Sequence, residues 1–106
     1  MKNKIEYSVV IPVYNSSASL LDLAKRLHIV FEDIMNESYE IIFVDDYSQR
    51  QETWKTLQSI ARNYKTVRAF RLTRNFGQAS AVLCGMAHAR GRWIVTMDDD
   101  LQHRPE

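Results

Sequence analysis

The chain is short of the residues that staple, span or address a protein. Its 106 residues include one cysteine, Cys84. An internal disulfide is therefore excluded, and the count fits a reducing compartment. No apolar run approaches the roughly 18 residues of a membrane span. The N-terminal stretch MKNKIEYSVVIP has two lysines, but its apolar run is too short for a secretory signal and Pro12 interrupts it. Glycine is scarce too: Gly77, Gly85 and Gly91 match neither GxxxxGKS/T nor GxGxxG phosphate-loop spacing. A net charge of +1 gives no sign of an acidic tail or a wholesale polyanion binder, so nucleic acid is not an expected partner. Repeats and low-complexity tracts are absent. What is left is one soluble segment, expected in the cytoplasm, with one core.

Charge is unevenly spread. Residues 1–53 carry a net −4 and residues 54–106 a net +5, most of the latter from arginine. Arginine suits planar contacts to phosphate.

Apolar runs and helical periods alternate along the chain. YSVVIPV (7–13), EIIFV (40–44), VRAFRL (67–72) and WIVTM (93–97) read as strands rich in β-branched residues. Between them, residues 18–35 place Leu20, Leu23, Ala24, Leu27, Phe31 and Ile34 at three- and four-residue spacing, which predicts one amphipathic helix. Residues 52–64 and 78–89 read as further helices. Strands separated by helices need right-handed crossovers, so the order βαβαβαβ predicts an α/β fold with a parallel sheet. Strands with little alternation predict a sheet covered on both faces.

In such a sheet, ligands bind beyond the carboxyl ends of the strands. The chemically distinctive residues fall there. Pro12, Tyr14 and Asn15 lie at or after the first strand, and Asp45 and Asp46 after the second. Arg71, Arg74 and Asn75 lie at the end of the third, and Asp98, Asp99 and Asp100 follow the fourth. Three adjacent carboxylates repel unless a cation sits among them. If the chain stays extended past Met97, the period of two sends Asp98, Asp100 and Gln102 to one side and Asp99 to the other. Two carboxylates and an amide oxygen make a hard site suited to Mg²⁺ or Mn²⁺, completed by substrate phosphates. An acidic turn or a helix cap would use the same aspartates. Asp45 and Asp46 fit either a contact to a nucleobase edge or an Asx-turn. Tyr14 can lie against a base or ribose, and Arg71 and Arg74 can reach a diphosphate. Cys84 and His88 read as packing or surface residues, and His103 adjoins the acidic cluster.

Four segments, SVVIPVYN, EIIFVDDYS, LTRNFGQASAVLCGM and GRWIVTMDDDLQHRPE, occur in this order from about Tyr7 to Glu106. Together they resemble family 2 glycosyltransferases, most of all the branch that moves a sugar from a nucleotide donor to a dolichyl or undecaprenyl phosphate. The resemblance implies a GT-A fold whose first half is a Rossmann-like nucleotide-binding sheet. It implies that Pro12, Tyr14, Asp45 and Asp46 line the nucleoside pocket and that Arg71 and Arg74 lie near the donor. Asp99 is grouped with these donor residues. Asp98 and Asp100 match the DxD metal motif, with Gln102 as a further ligand to Mg²⁺ or Mn²⁺.

Residues 1–106 then correspond to the donor-binding part of a transferase domain cut after the DxD segment. The catalytic base is expected beyond Glu106, with the acceptor site for a polyprenyl phosphate or a saccharide. Segments beyond Glu106 would also hold the full-length protein at the inner face of a membrane, peripherally or by an anchor. An unpaired sheet edge would favour self-association. Three positions depart from the family's usual residues near the expected donor pocket: Ser16 for glutamate, Tyr47 for glycine and Arg92 for an acidic residue. The glycine usual at position 47 could take a positive φ that tyrosine resists.

Two other α/β readings compete. A phosphoacceptor signalling receiver would need its acidic pair after the first strand and a fifth strand with lysine. A sugar nucleotidyltransferase would need a glycine-rich N-terminal loop, which IPVYNSS lacks.

Overall fold

The computed structural model describes residues 4–99. Its elements are β1 (Tyr7–Val13), α1 (Leu20–His28), β2 (Tyr39–Asp45), α2 (Gln51–Asn63), β3 (Val67–Arg71), α3 (Gln78–His88) and β4 (Trp93–Thr96). All strand pairs are parallel, in the order β3-β2-β1-β4. The chain thus builds outward from β1 through β2 to β3, then returns to the other side of β1 for β4.

Alternation along the central strands assigns each face its helices. Val9, Ile11 and Val13 of β1 and Ile41 and Phe43 of β2 share a core with Leu20, Leu23 and Ala24 of α1 and Leu57 and Ile60 of α2. The intervening residues Val10, Ile42 and Val44 face the other way and meet Ala81 of α3. Each fully buried aliphatic side chain contributes about 1.5–3 kcal/mol. Helix α3 comes close enough that a Cβ on Gly85 would sit 2.4 Å from Cγ1 of Val10.

Two expectations need correction. The predicted single helix over 18–35 is an α-helix that ends at His28 and continues as a π-helical segment, Ile29–Ile34. There the Met35 N–H donates to the Val30 carbonyl, five residues back. The wider turn rotates later side chains away from the α-helical stripe. Phe31 is buried and stacks on Tyr39 at 5.0 Å, while Ile34 is left 72% exposed. Coverage on both faces holds for β1 and β2 but not for β4. Helix α3 packs on β1 and β2, and Trp93, Ile94 and Val95 of the edge strand are exposed among the described residues.

A polar belt crosses the sheet near the strands' amino ends. Buried Glu40 of β2 accepts hydrogen bonds from Ser8 Oγ of β1 (2.7 Å), Arg68 Nη1 of β3 (3.0 Å) and the backbone N–H of Arg90 (2.7 Å). Ser8 Oγ in turn accepts the Gly91 N–H. Burial pushes the Glu40 carboxyl up, but these donors outweigh it and hold it below its ordinary range.

Candidate functional site at the switch between β1 and β4

Strand order reverses on the two sides of β1, so the loops leaving β1 and β4 diverge and open a crevice. A cavity of about 360 Å³ lies there, lined by Pro12, Val13, Tyr14, Asp46, Asn75, Gln78, Asp98 and Asp99. All four strand-end loops are represented in it, although Asp45 and Arg71 themselves are not among its lining residues. A larger hollow of about 880 Å³ lies at the amino ends of the strands, between Lys4, Ile5, Glu6, Ser38, Arg90 and Arg92. It lacks the convergence of strand-end loops, so the smaller cavity is the better candidate.

The loops that form the rim are tied by side chains acting on distant backbone. Asn15, at a φ of 58°, accepts the N–H groups of Gln49 (3.0 Å) and Arg50 (3.2 Å) on its Oδ1. Those groups lie just before α2, whose own cap residue makes no side-chain cap bond. Asparagine tolerates this left-handed backbone, so Asn15 fixes the turn into α2 from the loop after β1. Its own N–H donates to Ser48 Oγ at 2.7 Å.

Asp45 is fully buried. Its Oδ1 accepts both the N–H (2.9 Å) and the hydroxyl of Ser48, an Asx-turn in form. Its Oδ2 faces Arg71 Nε at 3.4 Å. Asp46 is buried as well but borders the cavity. Its carboxylate accepts the N–H groups of Phe76 (2.8 Å) and Gly77 (3.0 Å) at the head of α3, and its carbonyl accepts Asn75 Nδ2 (3.2 Å). A negative group is favourable at a helix amino end, where free N–H groups and the dipole point at it. Both aspartates therefore brace loops, Asp46 while facing the crevice.

The sequence-predicted residues divide as follows. Pro12, Tyr14, Asp46, Asp98 and Asp99 line the cavity. Arg71 instead lies against Asp45 and the ring of Tyr47. Arg74 lies over the ring of Phe76 at 4.9 Å. Strand β4 ends at Thr96, before the acidic run. Asp98 is exposed and accepts Gln78 Nε2 at 3.1 Å, and the Asp99 carbonyl accepts Ser19 Oγ at 3.4 Å. Asp100, Gln102 and His103 lie outside the described residues. Among the described residues no group of three or more His, Cys, Asp or Glu is placed to hold a metal. Arg92 stands at the amino end of β4 and lines the larger hollow there, not the candidate cavity.

Gln78 was not legible as a site residue, because a polar residue at a helix start usually faces solvent. Ser48 had a signal, since its place three residues after Asp45 suits an Asx-turn. Burial raises the Cys84 thiol pKa, and His88 stacks on Phe70 at 4.0 Å, which accords with packing roles.

The chain matches the family described as "Glycosyl transferase family 2" over residues 8–106. It belongs to that family. It is 43% identical over 99 residues to undecaprenyl-phosphate 4-deoxy-4-formamido-L-arabinose transferase of Edwardsiella ictaluri (strain 93-146). That alignment covers 93% of this chain and 30% of the relative, so the chain spans under a third of the relative's length. The fold is shared with the mannosyltransferase PcManGT from Pyrobaculum calidifontis, solved with GDP-Man and Mn²⁺. The TM-score is 0.77 at 20% identity, over 92% of this chain and 28% of that one. GalNAc-T7, solved with UDP, GalNAc and Mn²⁺, gives a TM-score of 0.72 at 24% identity, over 91% of this chain and 18% of that one. The expected Rossmann-like α/β half of a glycosyltransferase fold is therefore present, and the receiver and nucleotidyltransferase readings gain no support. No helix among the described residues is long and apolar enough to cross a membrane.

Proposed function

We propose that this chain is the donor-binding part of a glycosyltransferase that moves a sugar from a nucleotide-sugar to a polyprenyl phosphate at the cytoplasmic face of a membrane. The observation that carries the reading is the crevice between β1 and β4, where Asp98 and Asp99 meet Pro12, Tyr14 and Asp46. The likeness to an undecaprenyl-phosphate transferase supports the acceptor class.

The acidic lining fits a divalent ion. Three carboxylates, Asp46, Asp98 and Asp99, border one cavity, and Gln78 orients one of them through Asp98 Oδ1. Hard oxygen donors that leave positions for water and phosphate suit Mg²⁺ or Mn²⁺. Asp98 would hold the ion together with Asp100 and Gln102. When bound, such an ion supplies Lewis-acid stabilisation of negative charge on a leaving nucleoside diphosphate. The chain's own residues do the positioning. Pro12 and Tyr14 give an apolar and aromatic wall on which a nucleoside can lie. Asp46 fixes the loop of Asn75 and the head of α3 beside it. The base that activates the acceptor is proposed to lie outside residues 1–106.

Calorimetric titration with UDP and with GDP, each with and without Mn²⁺, tests the reading. Binding of at least one nucleotide, strengthened by Mn²⁺, is expected. Neither nucleotide binding under any of these conditions would remove it.

A further inference from the structure

The loop after β2 holds a tyrosine in a backbone conformation that tyrosine rarely adopts. Tyr47 has a φ of 56°, a left-handed conformation that costs a residue with a Cβ more than it costs glycine. Its ring lies under the guanidinium of Arg71, 4.6 Å from Cζ to centroid. That guanidinium is held on two further sides. Its Nε is 3.4 Å from Asp45 Oδ2, and its Nη2 donates to the Ser48 carbonyl at 3.5 Å. Asp45 Oδ2 is buried and has no hydrogen bond, so the ion pair is what balances it. About a third of the Arg71 side chain stays exposed, at the strand-end rim.

We infer that Tyr47 is a positioning residue for the nucleotide, acting through Arg71. A flexible arginine loses rotamer freedom when it grips an anion. Stacked on a ring and paired with a buried carboxylate, Arg71 has lost that freedom before the ligand arrives. Ring stacking occupies the face of the guanidinium, and Asp45 and the Ser48 carbonyl take Nε and one Nη2 N–H, which leaves the Nη1 N–H groups suited to phosphate or a base carbonyl. The inference rests on the donor-site reading above and adds to it a residue that stands where the family usually has glycine.

The test titrates UDP and GDP with Mn²⁺ into the wild-type chain, Tyr47→Phe, Tyr47→Leu and Tyr47→Gly, each also combined with Arg71→Met. Tyr47→Phe keeps the ring and should bind as the wild type does. Tyr47→Leu and Tyr47→Gly should bind about three- to fivefold more weakly, the loss expected from one exposed cation–π contact. With Arg71→Met in place, the same changes should cause no further loss. Tyr47→Gly also relieves the backbone, so its melting temperature should not fall in step with its affinity, as it would for a merely structural residue. The inference is overturned if Tyr47→Leu and Tyr47→Gly bind as tightly as the wild type, or if their losses persist beside Arg71→Met. A wild-type chain that binds neither nucleotide removes the donor-site reading, and this one with it.

Discussion

The Asp46 carboxylate accepts the backbone N–H of Gly77 at 3.0 Å, joining the end of β2 to the head of α3 across 31 residues of sequence. Gly77 has a φ of 103° and no side chain, so the helix has no cap of its own there. Asp46 takes that place from another loop and engages Phe76 as well. Asp46→Ala should take this acceptor from both part-buried N–H groups and cost about 2–4 kcal/mol, in line with two charge-assisted bonds. Asp46→Asn should recover little, because its amide would turn a donor toward a donor. Urea denaturation of the two variants against the wild type measures this. Losses below about 0.5 kcal/mol would show that the contact does not hold the loop.

Glu40 makes stability depend on acid. Its folded-state carboxyl is held below the ordinary value by Ser8, Arg90 and Arg68 despite burial. A depressed carboxyl stabilises the fold above its unfolded pKa, and that share is lost as pH falls through the folded value. The unfolding free energy should thus decline on acidification from about pH 6 to about pH 3. Glu40→Gln should be less stable at neutral pH by about 1–3 kcal/mol and show a shallower decline. Urea midpoints across that range provide the measurement, and an unchanged slope in Glu40→Gln would assign the acid sensitivity to other groups.

The fold was largely legible because a covered parallel sheet leaves a strong trace. VVIPV and EIIFV can be little else between helical periods, and β1 and β2 lie within a residue or two of the expected bounds. The π-helical turn was not legible, since Phe31 and Ile34 keep α-helical spacing on paper. At the site, periodicity could place Asp46, Asp98 and Tyr14 on one rim. The Asx-turn of Asp45 with Ser48 was among the readings open from the sequence, but that Asp46 braces the head of α3 was not legible, because its partners, the N–H groups of Phe76 and Gly77, lie 30 and 31 residues along the chain. Arg92 directly precedes Trp93, so chain order already put it at the amino end of β4, the end opposite the crevice. The strained backbone at position 47 was readable as a glycine position, and the structure keeps that conformation with Tyr47 in it.

Gly85 limits how near α3 can sit to the sheet. An added Cβ would be 2.4 Å from Val10 Cγ1 and 3.3 Å from Val44 Cγ2. Both are branched side chains fixed in a strand, with little room to yield. Gly85→Ala should therefore destabilise the fold by about 1–3 kcal/mol, although alanine is the better helix former. Shortening the neighbour should relieve the clash, so Val10→Ala with Gly85→Ala should lose less than the two single costs added together. Thermal denaturation of the four proteins closes this cycle, and strict additivity would show that the two residues do not press on each other.

Gln78 and Asp98 offer a graded test of the proposed metal site. Asp98→Asn keeps the shape of the side chain but removes a charge that faces the crevice. The gain in UDP affinity on adding Mn²⁺ should disappear, while the affinity measured without metal should stay the same or rise slightly as repulsion of the diphosphate is relieved. Gln78→Ala leaves the carboxylate in place but removes the 3.1 Å bond that orients it. Outer partners of ligands commonly contribute ten- to hundredfold in metal affinity. Because Asp98 is exposed, the loss here should fall near the lower end, about tenfold. Manganese binding followed by electron paramagnetic resonance, alongside calorimetry with UDP, reads both effects. If Asp98→Asn keeps its full response to Mn²⁺, the ion is held by other groups, and Gln78 has no part in its binding.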